Sequence, residues 1–592
     1  MENTWNLNKI YKGFESEEFL NDIKFLNDLS AKINANTQID FKSKSDAITK
    51  IENYISSTCK ITDKIIRLSV FCSLKISENS KNSTAVAYQG KVANLRNLFN
   101  PAKLSFKKYL LEFTPEEIDN IINSSDLLKN HEFYLKEIIS KEDYALSDAE
   151  EILLSNMQIT GSSAWSRLQG NTAANATMKV EIDGKTIEIP VTAKSQLPKA
   201  KSKDEKYSRF LAECEAYKNH ATISSECLNN IKGEVITVAN ARSYASPLDM
   251  TLKNCRMSEK TLNALIESIE EYLPKLRKYY KIKADILGYE NGLPFYEIAS
   301  TVGNSTMKFT IEEAKKEVIE AYHTFSNELG DFADNAFKEE WVDFLPRVGK
   351  RSGAFCSSCH AIGESRVLTN FNGNFKDINT LAHELGHGFH GKQLASESVF
   401  NCSYPMPLAE TASTFCEEIL KQNLINKIDA DNMLSFLDFS ILSPTQVTVD
   451  ILSRFYFEKE FFEIRKDHQL SVEEINEIML KSQKKAYGDS IDEKTFNPYM
   501  WLNKVHYYYA SRNFYNFPYA FGLLFSLGLH AIYEEKGELF TQDYNKLLKA
   551  TGKMSIKDVC KIVDIDCESK EFWKKSLDKI VNKIDQFEKM SK

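Results

Sequence analysis

Residues 381–391 read LAHELGHGFHG. Three histidines, one glutamate and three glycines fall within eleven positions. A glycine inside a helix costs roughly 1 kcal/mol relative to alanine. Local rules broken this densely are characteristic of functional sites. On a helix, His383 and His387 stand at i and i+4, so both imidazoles leave one face and can close on a single ion. Glu384 then points beside that ion. The plain alternative is a solvated helix face that carries two histidines by chance.

The HExxH spacing is a zinc-peptidase signature: two ligands and a general base. A catalytic Zn²⁺ takes three protein ligands and keeps one position open for water. Coordination lowers the pKa of that water towards about 7, and a neighbouring carboxylate takes its proton as it attacks a carbonyl.

A third ligand is therefore required. The HExxHxxGxxH pattern is excluded, because its glycine position holds His390 and its last histidine position holds Gln393. A glutamate from a following helix is the other source, and Glu397, Glu410, Glu417 and Glu418 are in range. PLAETASTFCEEILKQNLI, 407–425, reads as one helix with Glu410, Ser413, Thr414 and Glu417 on a single ridge. An antiparallel neighbour presenting that ridge places Glu410 on the ion. Glu417, two turns on, then reaches the other nitrogen of a ligand histidine. Its alternative is a surface carboxylate. Glu397, in a loop, ranks second as ligand. His390 is expected to pack or hydrogen-bond rather than close the site as a fourth ligand.

A second constellation is VHYYYASRNFYNFPYAFG, 505–522, with eight tyrosines or phenylalanines around His506 and Arg512. Such density alone means core. Amide hydrolysis also needs donors for an oxyanion, and Tyr O–H or His N–H groups serve when desolvated. His506, Tyr515 and Tyr519 are the candidates. Pro518 predicts a kink or a helix start between the two tyrosines.

The totals are those of a globular protein. The 592 residues exceed what one core usually supports, 42% are hydrophobic and 27% charged. The 22 glycines and 13 prolines are about half the usual share, so long helices are expected. A net charge of −8 gives no basic footprint for nucleic acid. MENTWNLNKIYKGFESEEF has no signal-peptide pattern, and the apolar run 517–533 is too short to span a bilayer. Eleven scattered cysteines suggest reduced thiols in a cytoplasmic setting. Cys356-Ser-Ser-Cys359-His360 lacks a second CxxC and reads as two loop or strand cysteines.

Helical spacing dominates 1–175, with a capping box at Thr114-Pro-Glu-Glu117. MKVEIDGKTIEIPV, 178–191, alternates around Asp183-Gly184 and predicts a hairpin. Long amphipathic helices are expected from MSEKTLNALIESIEEYLPKLRKYYKIKADILG and TIEEAKKEVIEAYHTFSNELGDFADNAF. A strand at Ser365–Phe371 and a turn at Asn372-Gly373 lead into the motif helix. The expected division is an N-terminal helical region, 1–200, and a catalytic region, 201–592.

HELGHGFH, LAETASTFCEE and FYNFPYAFG in this order, with WNLNKIYKGFES and GKRSGAF at 349–355, resemble the M3 family of zinc metallopeptidases, oligoendopeptidase F in particular. The resemblance spans most of the chain. It implies a mainly α fold of two helical lobes enclosing a deep central cleft, with a small β element next to the zinc-binding helix. It implies one Zn²⁺ held by His383, His387 and Glu410, with Glu384 as base. His506 and Tyr515, with Tyr519 as a further candidate, would stabilise the intermediate; Tyr507, Tyr508 or Tyr509 could replace one of them. The backbone at Gly353–Ala354 would hold extended substrate, and the substrates would be short unfolded peptides. Two other readings are a metallocarboxypeptidase, with Arg347, Arg351 or Arg512 for the terminal carboxylate, and a non-catalytic zinc-containing peptide-binding protein. A helical scaffold with an accidental HExxH is the blandest.

Overall fold

The structure is a computed structural model that describes residues 3–34, 41, 43–303 and 307–592. The fold is mainly α. Its strands form only a two-stranded and a three-stranded sheet among the described residues. No helix of the described residues is long and apolar enough to cross a membrane.

The chain divides into two units, each discontinuous in sequence. The first comprises Met1–Glu142, Thr306–Ile428 and Ser526–Asp566; the second comprises Asp143–Ser305, Asp429–Phe525 and Cys567–Lys592. Both draw on residues from either side of position 200.

In the second unit, β1 (Thr177–Ile182) pairs antiparallel with β2 (Lys185–Pro190). Asp183 and Gly184 have φ of 51° and 75°, the two left-handed positions that a tight hairpin of this twist requires. Met178 and Val180 alternate inward and join a core built on Leu228, Ile231, Phe457 and Trp501.

In the first unit, β3 (Val342–Asp343), β4 (Phe355–Cys359) and β5 (Glu364–Leu368) form a sheet in the order β3-β5-β4. Cys356 and Cys359 therefore lie on an edge strand. His360 donates to Asp63 Oδ1 at 2.7 Å and to the Glu397 carbonyl at 2.9 Å. This sheet and the N-terminal helices share a core containing Trp5, Tyr11, Phe71, Cys359 and Leu368.

The structure departs from the sequence reading in two helices. The stretch expected as a long helix, 310–337, is two helices, Ile311–Phe325 and Asn327–Lys338. Ser326 takes an extended conformation between them, and its hydroxyl accepts the Leu329 N–H at 3.1 Å. The helix expected at 407–425 also breaks. A single turn, Met406–Ala409, is followed by Thr411–Ile425, and Glu410 sits at the junction with φ −89° and ψ 4°. The apolar run near 517 is the helix Phe517–Lys536, buried over most of its length.

Candidate metal centre

The motif helix runs Phe375–Leu394. It starts where the chain dictates. Gly373 takes φ 82°, and a Cβ there would lie 2.7 Å from the Phe309 carbonyl. Asn374 then caps the helix: its side chain accepts the Asp377 N–H at 3.1 Å, and Asp377 accepts the Asn374 N–H at 3.2 Å. Further along, the Tyr322 hydroxyl donates to the Ala382 carbonyl at 2.6 Å and anchors the turn that bears His383.

The glycines set how closely neighbours approach. A Cβ on Gly386 would stand 2.7 Å from both the Ala412 carbonyl oxygen and Ser413 Cα, so the helix Thr411–Ile425 crosses backbone against backbone. That contact begins two residues after Glu410.

His383, His387 and Glu410 meet here. One ligand atom from each lies within 4.8 Å of the other two, and among the described residues this is the one such group. Glu410 Oε2 is 3.3 Å from His383 Nε2 and 3.5 Å from His387 Nε2. The three side chains remain 26%, 23% and 25% exposed, so the cluster opens to incoming molecules. The Ser413 hydroxyl donates to Glu410 Oε2 at 2.9 Å and steadies it.

Behind the cluster, Glu417 Oε1 accepts a hydrogen bond from His383 Nδ1 at 2.6 Å. Its other oxygen accepts from Asn379 at 2.8 Å and Lys421 at 2.9 Å. Burial works to raise the Glu417 carboxyl, but the Lys421 charge and the His383 hydrogen bond outweigh it and hold the group far below its ordinary range. Glu410 is held low in the same way, its burial outweighed by His383 and His387. Burial opposes the His383 charge, yet hydrogen bonds to Glu410 and Glu417 lift its imidazole to about 10.

Glu384 is 7% exposed. Burial pushes its carboxyl up, against the pull of the His383 and His387 charges. His390 is fully buried, bonded through Nε2 to the Thr551 hydroxyl at 2.8 Å and stacked on Tyr404 at 4.3 Å. Glu397 and Glu418 lie outside the cluster: Glu397 pairs with Lys553 at 2.7 Å, and Glu418 accepts from Gln422 at 3.1 Å. Lys421, Asn379 and Ser413 were not singled out from the sequence. Ser413, on the Glu410–Glu417 ridge, carried a sequence signal, and so did Lys421, at i+4 from Glu417 on the same helix.

His506, Tyr515 and Tyr519 assemble within the second unit. The His506 and Tyr515 rings stack at 5.6 Å, and the Tyr519 hydroxyl donates to the Tyr515 oxygen at 3.0 Å. Tyr515's own proton is thus left to point elsewhere. The tyrosines do not share a helix face; the helix begins at Phe517, between them. His506 Nε2 has no hydrogen-bond partner among the described residues, and burial with nearby Arg454, Lys232 and Lys504 charges pushes its imidazole down to about 3. Tyr507 and Tyr508 belong to the core, whereas Tyr509 is 39% exposed.

Glu417 offers a direct check on the metal site. Replacing it with glutamine removes the charge that holds the His383 Nδ1 proton, so metal affinity should drop about 10- to 100-fold. Competition against a chelator of known strength measures this. Unchanged affinity would mean that Glu417 serves only Lys421 and Asn379.

The model of Peptidase family M3 matches residues 195–579, and that of Oligopeptidase F matches residues 110–179. An oligoendopeptidase F homolog from Lactococcus lactis subsp. lactis (strain IL1403) is 26% identical over 599 residues, covering 99% of this chain and 97% of that protein. A solved structure from Chlamydophila abortus superposes with a TM-score of 0.87 at 20% identity, covering 100% of this chain and 98% of that one. Oligoendopeptidase-F from Enterococcus faecium superposes at 0.68 with 18% identity, covering 97% and 99%. These structures share the fold. The family match extends over nearly two thirds of the sequence and includes the histidine–glutamate cluster: the chain belongs to peptidase family M3 and is a metallopeptidase.

Proposed function

We propose that the protein is a zinc-dependent endopeptidase acting on internal bonds of short, unfolded peptides. The observation that carries this reading is the convergence of His383 Nε2, His387 Nε2 and Glu410 Oε2 with Glu384 alongside. The donor set fits Zn²⁺. Glu417 accepts from His383 Nδ1, which turns Nε2 toward Glu410 as the nitrogen a metal would use. Two imidazoles and one carboxylate with open access form a catalytic rather than a structural zinc site.

When bound, Zn²⁺ supplies Lewis acidity, polarising a carbonyl and making a water easier to deprotonate. Glu384 takes the proton of the attacking water on its carboxylate and passes it to the departing amine nitrogen. His506 and Tyr515, with Tyr519 as the donor that orients Tyr515, supply hydrogen bonds to the carbonyl oxygen as it gains charge. The free edge of β4, beginning just after Gly353–Ala354, is suited to pair with an extended peptide as an added strand.

We also read 1–200 as an N-terminal region and 201–592 as the peptidase region in terms of inheritance; the family match beginning at 195 supports this. Eleven cysteines spread along the chain suit a reducing, cytoplasmic setting.

The test is digestion of a mixture of unfolded peptides of graded length by the zinc-loaded protein, with products read by mass spectrometry. Internal cuts confined to the shorter peptides are expected. Removal of single C-terminal residues would transfer the reading to a carboxypeptidase, and intact peptides with zinc bound would transfer it to a peptide-binding protein. Tyr515→Phe should lower kcat about a hundredfold, the usual effect of losing one oxyanion donor, with zinc content unchanged. A normal kcat would remove Tyr515 from the mechanism.

A further inference from the structure

The second unit contains a cavity of about 550 Å³ that neither His506, Tyr515 nor Tyr519 lines. This is the size of a small-molecule site. Much of its wall is apolar, formed by Met178, Leu197, Phe210, Phe295, Leu442 and Met500. Its charged lining runs against the chain as a whole, which carries −8. Lys194, Lys199, Lys206, Arg209, Arg454 and Lys504 line it, against only Glu213, Glu297 and Asp450.

The three carboxylates are already engaged. Glu213 pairs with Lys194 at 2.6 Å and Glu297 with Lys206 at 2.7 Å. Asp450 pairs with Arg454 and accepts the Tyr487 hydroxyl at 3.1 Å. Lys504 differs from the paired cations: its half-buried ammonium has no hydrogen-bond or ion-pair partner among the described residues. Burial and the Arg454 charge push the amine down to about 8, against a weaker upward pull from Asp450 and Glu213. A half-buried charge without a partner is costly, and an anion would relieve that cost.

The backbone of the same wall is irregular. Residues Gln446–Asp450 form a π-helical turn between the helices Ala430–Thr445 and Ile451–Arg465, and both its first and its last residue line the cavity. Such turns recur at functional sites, where they re-aim side chains at the expense of regular hydrogen bonding.

We propose that this cavity binds a small organic anion, an oxyanion carried on an apolar body, with Lys504 as its counter-ion and Phe210, Phe295 and Met500 against the body. The oxyanion is a carboxylate or a phosphate. Both match an ammonium donor, and the wall does not distinguish the two sources.

The experiment uses the full-length, zinc-loaded protein. N-acetylphenylalanine and phenyl phosphate are titrated calorimetrically, each beside the neutral N-acetylphenylalanine amide. At least one anion should bind, and the amide should bind about tenfold more weakly or worse, the effect of one charge-assisted hydrogen bond. Binding of the carboxylate alone points to an amino-acid or peptide source, and binding of the phosphate alone to a phosphorylated metabolite. Lys504→Met should weaken the anion by a similar factor while Tm stays level or rises, because an unpartnered charge is removed. A second readout needs no variant: an amine-selective acylating reagent should modify Lys504, and the bound anion should slow that modification. The proposal falls if neither anion outbinds the amide, if Lys504→Met binds as tightly as wild type, or if Lys504 acylation proceeds unchanged at saturating anion.

Discussion

Glu384→Gln should retain one zinc per chain and lose about a hundred- to ten-thousand-fold in kcat, the share that a positioned general base contributes. Glutamine preserves the volume and shape of a side chain that is only 7% exposed, so the fold has no reason to change. What it loses is the ability to accept a proton. The three residues of the cluster are untouched, since Glu384 is not among them. Zinc content, Tm and turnover of an internally quenched peptide measure the three consequences separately. A kcat within tenfold of wild type would place the base elsewhere, whereas lost zinc would make Glu384 a structural member of the site.

Gly386→Ala should destabilise the protein by about 1–3 kcal/mol, the usual range for forcing atoms into a packed interior. The sign is diagnostic. On an exposed helix the same change stabilises by roughly 1 kcal/mol, because alanine is the better helix former. Here the new methyl group would meet the Ala412 carbonyl and Ser413 Cα, both backbone, and neither can rotate away. The second helix must back off, and Glu410 moves with it because the contact lies two residues beyond. Zinc affinity should therefore fall together with Tm. Gly386→Leu should prevent native folding of this region. A Gly386→Ala variant as stable as wild type would show that the two helices have slack between them.

Much of this arrangement could be read from spacing alone. The i, i+4 pair put His383 and His387 on one face, and the ridge from Glu410 to Glu417 put two carboxylates on another. The hairpin at Asp183-Gly184 and the cap at Thr114 follow from residues adjacent in sequence, where local chemistry decides. Features that depend on a tertiary crossing were not legible. Asn379 approaches Glu417 only because two helices cross at Gly386, whereas Lys421 pairs with it at i+4 on the same helix. The break at Glu410 was hidden because its neighbours are good helix formers. Ser326 was overlooked as a cap because the apolar periodicity continues across it. The carboxylates around Lys504 are assigned by pairings such as Lys206 to Glu297, 91 positions apart, which no local pattern announces.

The interleaved units bear on synthesis. The chain passes from one unit to the other five times, at 142/143, 305/306, 428/429, 525/526 and 566/567. On a ribosome, His383, His387 and Glu410 emerge well before the segment that completes their unit. That segment carries Ser526, whose hydroxyl bonds the Thr411 carbonyl at 2.8 Å, and Thr551, which holds His390 from 161 residues away. Until it arrives, the motif helix has no complete partner surface, and its histidines are exposed to any metal the cell offers. A nascent chain arrested near residue 430 should therefore be protease-sensitive across 375–425, and one extended well past residue 566 should be protected. A single cut between residues 143 and 566 should leave neither unit whole on one fragment.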